Sequence, residues 1–384
     1  MAGFEFGLEA FLADPGVGGR VGLVSNATGI DRNGTHVAYR LAGHPRLRLT
    51  RLFSPEHGFW SDAPDGEAVG HAVHPRLGAP IVSLYGERKI PSPADLADLD
   101  LLVYDIQDVG VRFYTYISTL RNVIDAAAPL GLPVHVLDRP NPVGGFEVEG
   151  PALTAGFASF VGHLPVPLRY GLTPGELAAW YASTLPNPGP IKVWPCAGYT
   201  RGAIFANLGI PWVKPSPSMA TPATALFYPG TCLFEGLNAS EGRGSDAPFQ
   251  ILGAPWVDPD RWLASLRPTL PGNVTVRPVE FRPTFAKFTG EACRGIRLDT
   301  GSGHLDGAVG VGLRVIQALM RSHPGKVEFP GRPNLDRPFF DLLAGNSWVR
   351  EGLLADLDAG QLEERARAEC QAFRRDRERF FLYR

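Results

Sequence analysis

Short apolar runs recur along the first 140 residues, and amphipathic stretches separate them. Residues 20–25 read as a buried strand. Residues 47–53, 81–84, 101–104 and 134–137 read as four more. Helical spacing fits residues 36–42, 93–97 and 116–128. Runs without polar alternation imply strands covered on both faces, and alternation with helices implies a parallel sheet. Thr173-Pro174-Gly175-Glu176 carries the pattern of a capping box, so it predicts a helix start and a structural role for Glu176. Further strands are expected at 191–194 and 231–234. From about residue 245 the texture changes. β-type runs at 274–276 and 295–298 precede an apolar-periodic helix at 308–320 and a last helix near 361–373. The pattern predicts an α/β fold. A Rossmann-like, mostly parallel sheet domain would span 1–245, and a smaller α+β C-terminal domain would span 246–384 and close a cleft.

Composition narrows the function. The chain has 384 residues, 44% hydrophobic and 20% charged, an ordinary globular balance. Lys+Arg 37 against Asp+Glu 39 leaves no basic excess, so no nucleic-acid partner is expected. The alternating charges of residues 363–379 read as a solvated helix face. Cys196, Cys232, Cys293 and Cys370 form no C-x-x-C pair and read as buried free thiols. No run approaches ~18 apolar residues, so no membrane span is expected. The N-terminal residues lack a basic, apolar leader pattern, which predicts a cytoplasmic protein.

Candidate chemistry gathers behind the predicted strands, where open α/β sheets bind ligands. Ser25-Asn26-Ala27-Thr28-Gly29 follows the first strand, and Ser54-Pro55-Glu56-His57-Gly58-Phe59 the second. Asp105-Ile106-Gln107-Asp108-Val109-Gly110 follows the fourth, with Arg112, Tyr114 and Tyr116 just beyond. Asp138-Arg139-Pro140-Asn141-Pro142 follows the fifth. Gly16-Val17-Gly18-Gly19 precedes a strand where a nucleotide cradle would follow one, so no cofactor is expected. No paired histidines suggest a metal; Asp105 and Asp108 would orient Arg112 or bind sugar hydroxyls. Glu56, between Pro55 and Gly58, is the leading catalytic candidate, because a carboxyl in a partly dry pocket acts as a general acid. His57 reads as a hydrogen-bonder or ligand beside it. A second cluster runs from Glu235 through Asn238, Glu241 and Arg243 to Gly244. Glu241 is the second catalytic candidate, with an ion pair to Arg243 as its plainer role. Glycoside hydrolysis uses two carboxyl groups, and a 2-acetamido sugar can supply one of the functions itself.

These runs resemble the exo-β-N-acetylmuramidase family. The resemblance is carried by residues 23–29, 52–59, 137–145, 228–232, 238–244 and 281–285, and above all by the thirteen residues from Tyr104 to Tyr116. It implies a Rossmann-like domain with a smaller C-terminal domain, a site between them, and catalysis by Glu56. It also implies exo-acting release of N-acetylmuramic acid from the non-reducing ends of peptidoglycan fragments, whether disaccharide, muropeptide or glycan end. Without a leader, the chain would serve intracellular cell-wall recycling. Asn26, His57, Asp105, Gln107, Asp108, Asp138, Asn141 and Asn238 are expected to contact the sugar. Arg112, Arg139 or Arg243 would hold its lactyl carboxylate. Phe59, Tyr114, Tyr116 and Tyr228 could stack on sugar faces. Ser245-Asp246 departs from the two threonines expected there and would alter local charge. Two other readings use the same residues: a metal-dependent hydrolase with Glu56, His57, Asp105 and Asp108, and a muropeptide-binding protein without catalysis.

Overall fold

The computed structural model describes residues 3–301, 303–333 and 335–384. The larger sheet holds β1 (Gly19–Ser25), β2 (Leu47–Ser54), β3 (Ala72–Val73), β4 (Pro80–Ser83), β5 (Leu101–Asp105), β6 (Val134–Leu137) and β7 (Ile191–Trp194). Their order is β3-β4-β2-β1-β5-β6-β7. Neighbours run parallel except β3, which pairs antiparallel with β4 at the edge. The chain leaves β1 toward β2 and β4, then returns so that β5 lies on the other side of β1. The switch point therefore lies between β1 and β5.

Both faces of the central strands are buried, which is why β1, β5 and β6 read as continuous apolar runs. Val21, Leu23, Leu52, Leu101 and Val103 pack against Phe11, Val37 and Leu41. Val24, Phe53, Leu102, Tyr104 and Val136 face the opposite way, toward Ile117, Leu120, Ile124 and Leu177. Each such side chain contributes about 1.5–3 kcal/mol when fully buried. The expected capping box forms: the Thr173 hydroxyl accepts from the Glu176 N–H, and Glu176 accepts from the Thr173 N–H. Glu176 is buried and paired with Arg201, a structural role.

The smaller sheet is antiparallel, with β8 (Ile251–Ala254), β9 (Val274–Phe281) and β10 (Cys293–Thr300) in the order β8-β10-β9. Helix Pro259–Leu266 packs on it, and helix Ala308–Ser322 packs against that helix. Helix Ala308–Ser322 also crosses helix Pro222–Thr231 with Gly312 against Gly230. A Cβ at Gly230 would lie 2.1 Å from the Ala308 carbonyl oxygen, so only glycine permits this approach. One cluster of buried side chains runs without a break from Leu102 and Val136 to Leu252, Ile296 and Val315.

Two expectations need correction. Residues 231–234 form no strand; helix Pro222–Thr231 passes into the 3-10 turn Cys232–Gly236. A four-residue apolar run buried on all sides looks alike in either state. The charged tail is also more than a solvated face. It folds as helices Ala359–Glu369 and Gln371–Asp376, and then Arg377 turns inward. Its guanidinium donates to the carbonyls of Gly145, Phe146 and Gly171. Beyond it the Tyr383 hydroxyl donates to Asp138 Oδ2 at 2.6 Å, at the end of β6. The four cysteines are free and buried, as expected. Among the described residues no helix is long and apolar enough to cross a membrane.

Candidate active site

Beyond β2, Pro55-Glu56-His57-Gly58 turns the chain over the carboxyl end of the sheet. His57 and Gly58 are both left-handed, with φ of 68° and 76°. Glycine adopts that conformation freely; a histidine there is strained, and such strain gathers at functional sites. The turn brings the Glu56 side chain to the wall of a cavity of about 600 Å³, the size of a small-ligand site. Two donors fix its carboxylate. The Gly66 N–H donates to Oε1 at 3.1 Å, and the Thr115 hydroxyl donates to Oε2 at 2.6 Å. Thr115 immediately precedes helix Tyr116–Ala127, whose positive end favours an anion. The Tyr85 phenol, just past β4, faces the same carboxylate; burial first, and then the Glu56 charge, push its pKa up. His57 Nδ1 donates to the Ala63 carbonyl at 2.9 Å, and its Nε2 lies 3.7 Å from Asp65.

The opposite wall is built around Arg243. Its guanidinium meets Glu235 at 2.7 Å, Asp65 at 2.8 Å and Glu241 at 3.3 Å. Burial opposes its charge, but Glu235, Asp65 and Glu241 outweigh burial and hold its pKa well above the usual value. Burial likewise raises the Glu235 carboxyl, yet Arg243 and Arg332 prevail and leave it below the ordinary glutamate range. Glu241 is engaged at both oxygens, by Arg243 and by the Lys287 ammonium at 3.1 Å. Four carboxylates (Glu56, Asp65, Glu235, Glu241) and four cations (Lys89, Arg243, Lys287, Arg332) line the cavity, so it does not repel an anionic sugar.

Of the residues singled out in the sequence, Glu56, His57, Tyr114, Tyr228, Glu241 and Arg243 meet in this cavity. The others are spent elsewhere. Asp105 and Arg139 form a fully buried ion pair, and Arg139 also donates to the Ile30 carbonyl at 2.8 Å. The Asn26 side chain accepts from Thr28, and Gln107 donates to the carbonyls of Asp108 and Pro140. The crevice at the β1–β5 switch point is thus filled by the protein's own polar groups. Asp108 accepts from the Tyr170 hydroxyl and the Gly110 N–H, and burial raises its pKa to about 6. Arg112 is fully buried and donates to four carbonyls, those of Pro151, Val166, Leu343 and Ala344. Tyr116 is buried, and its hydroxyl donates to the Pro215 carbonyl. Asp138 accepts from Thr173, Gly175 and Tyr383, and Asn141 donates to the Leu172 carbonyl. Asn238 pins the backbone of Lys326 and Glu328. Phe59 packs against His36 and His74 in the core. Asp246 faces solvent beside Arg297, 3.6 Å away. The quartet Glu56, His57, Asp105 and Asp108 is therefore not assembled. Among the described residues no group of three or more His, Cys, Asp or Glu side chains is placed to hold a metal ion.

Sequence reasoning passed over Asp65, Tyr85, Lys89, Thr115, Lys287 and Arg332, all of which line the cavity. Glu235 was quoted but not selected. The strand-end argument reaches Tyr85 if it is extended to β4, and Thr115 stands inside the Tyr104–Tyr116 run. The remaining four carry no local signal.

Comparison with known proteins extends the picture. The N-terminal and C-terminal family models of the exo-beta-N-acetylmuramidase NamZ match residues 21–223 and 226–383. The chain is 39% identical over 369 residues to the peptidoglycan beta-N-acetylmuramidase NamZ of Bacillus subtilis (strain 168), covering 95% of this chain and 87% of that protein. Crystal structures of two DUF1343 family proteins from Bacteroides fragilis NCTC 9343 share the fold. One superposes with a TM-score of 0.89 at 30% identity over 99% of both chains. The other gives 0.77 at 29% identity over 100% of this chain and 99% of that one.

Proposed function

The chain belongs to the exo-β-N-acetylmuramidase NamZ family and is a glycoside hydrolase; from that premise we propose that it releases N-acetylmuramic acid from the non-reducing ends of peptidoglycan fragments, with Glu56 as general acid and base. One observation carries this reading: the Glu56 carboxylate stands on the cavity wall with both oxygens positioned by Gly66 and Thr115. A carboxyl so placed protonates the glycosidic oxygen as the bond to C1 breaks, and in its ionised form then takes a proton from water.

The second function falls to the substrate. Glu241, held between Arg243 and Lys287, is not free to attack C1. Its role is to fix those two cations in the wall. The acetamido oxygen of the sugar attacks C1 instead, forming a cyclic intermediate that water opens with Glu56 as base. The first product is then the β-anomer. Mass spectrometry of a defined N-acetylmuramyl disaccharide tests the reaction: the wild type releases free N-acetylmuramic acid, and Glu56→Gln releases it at least about 100-fold more slowly. Proton NMR within the first turnovers tests the mechanism, and an initial α-anomer would overturn it.

A further inference from the structure

Three of the four cations lining the cavity are already spent. Arg243 is held by three carboxylates. Lys287 donates to Glu241 and to the carbonyls of Phe234, Glu235 and Ala239. Arg332 pairs with Glu235 at 3.4 Å and lies over the Phe339 ring. Lys89 differs. Among the described residues no carboxylate forms an ion pair with it. Its ammonium lies 5.0 Å from the centre of the Phe160 ring and 5.6 Å from that of Tyr85. The Asn122 side chain donates to the Lys89 carbonyl at 2.9 Å and steadies the loop. Aromatic faces hold an ammonium in place without neutralising it. Among the described residues, the cavity wall therefore carries one positioned positive charge with no carboxylate paired to it.

Tyr85 links that charge to the reacting centre. Lys89 lies over its ring, while its phenol faces the Glu56 carboxylate. In N-acetylmuramic acid the bond to be broken leaves C1, and the lactyl arm hangs from C3, across the same ring. A sugar whose C1 oxygen meets Glu56 carries its lactyl carboxylate away from that carboxylate, and Tyr85 borders both Glu56 and Lys89. We propose that Lys89 binds the lactyl carboxylate and is the residue that selects N-acetylmuramic acid over N-acetylglucosamine. The assignment rests on the functional reading above and moves the carboxylate contact from the arginines expected in the sequence to a lysine. A sugar without the arm leaves the ammonium unanswered, which is how a charged site discriminates.

The test compares wild type, Lys89→Met, Lys89→Arg and Arg332→Met on 4-nitrophenyl β-N-acetylmuramide and on its lactyl methyl ester. A lost charge-assisted contact lowers kcat/KM on the acid by roughly 10- to 100-fold. In Lys89→Met the preference for acid over ester should collapse toward one, and Lys89→Arg should restore most of it. An unchanged preference in Lys89→Met, or its collapse in Arg332→Met alone, overturns the assignment. Calorimetric titration of N-acetylmuramic acid into Glu56→Gln, with and without Lys89→Met, separates this claim from the reaction itself. If the wild type cleaves no muramide but Lys89→Met still abolishes binding of the acid, the functional reading fails and the carboxylate contact stands. Equal binding with and without Lys89 removes the contact whatever the turnover.

Discussion

The Thr115 hydroxyl donates to Glu56 Oε2 at 2.6 Å, joining residues 59 positions apart across the carboxyl end of the sheet. Together with the Gly66 N–H it sets the direction of the carboxylate. Replacing Glu56 by Gln keeps the shape and removes the proton exchange. Turnover should fall by about 10²- to 10⁴-fold, while the thermal midpoint stays close to wild type. Thr115→Val should cost less, on the order of tenfold, because the carboxylate keeps one donor. Release of free sugar, measured beside thermal denaturation, checks both.

Arg243 is the hub of three carboxylates. Removing the charge leaves Glu235 and Glu241 with one cation each, Arg332 and Lys287, in a wall where Glu241 is only 4% exposed. Arg243→Met should therefore destabilise the fold by about 3–5 kcal/mol, read as a lower urea midpoint. A variant as stable as the wild type would mean that the carboxylates find other partners.

Arg112 offers a sharper contrast, because the sequence assigned it to the substrate and the structure gives it four carbonyls. No carboxylate compensates its charge, and burial pulls its pKa down to about 9. Arg112→Met leaves those carbonyls without a donor and should cost about 1–3 kcal/mol or more. The KM of the folded fraction should not change. A raised KM at unchanged stability would return Arg112 to the binding site.

Asp138 predicts a pH dependence. Burial raises its carboxyl to about 7, against an ordinary value of 3.8. The folded state thus binds a proton that the unfolded chain has released. The stability this contributes is complete below pH 4 and declines as pH rises from about 4 to about 7. Asp138→Asn should lack that decline, so the stability of the wild type relative to the variant should fall across the same range. Urea midpoints at unit pH steps check this, and a difference that grows in the opposite direction would contradict it.

What could be read from the sequence follows from burial. β1, β4, β5 and β6 and the second half of β2 are largely buried, so each left an apolar run; β7 is only half-buried and was marked by Ile191, Val193 and Trp194. β3 has two exposed residues, too few for a pattern; β8 is as long as β4 and β6 and buried throughout, but half of it is Gly253 and Ala254, which carry little apolar signal. Glu56 was legible because Pro55 and Gly58 mark the turn that presents it. The polar rim misled for a physical reason. Asp105 pairs with Arg139, Gln107 donates to backbone carbonyls and Asp108 accepts from Tyr170, and a buried network of this kind has the same composition as an open site. Arg112 binds backbone carbonyls, which every residue possesses, so its targets leave no trace. The Arg243 hub joins positions 65 and 243, and no local window spans that separation.

The contact between Tyr383 and Asp138 has a consequence for synthesis. The two residues lie 245 positions apart. At about 5–20 residues per second, Asp138 leaves the ribosome roughly 12–50 s before its partner is made. Throughout that interval Asp138 lacks the Tyr383 hydroxyl, and the Phe146 carbonyl lacks the Arg377 guanidinium. The larger sheet, although encoded first, receives these contacts only once the C-terminus is made. The nascent chain therefore emerges with an unfinished edge, and a folding helper has its longest opportunity to act there.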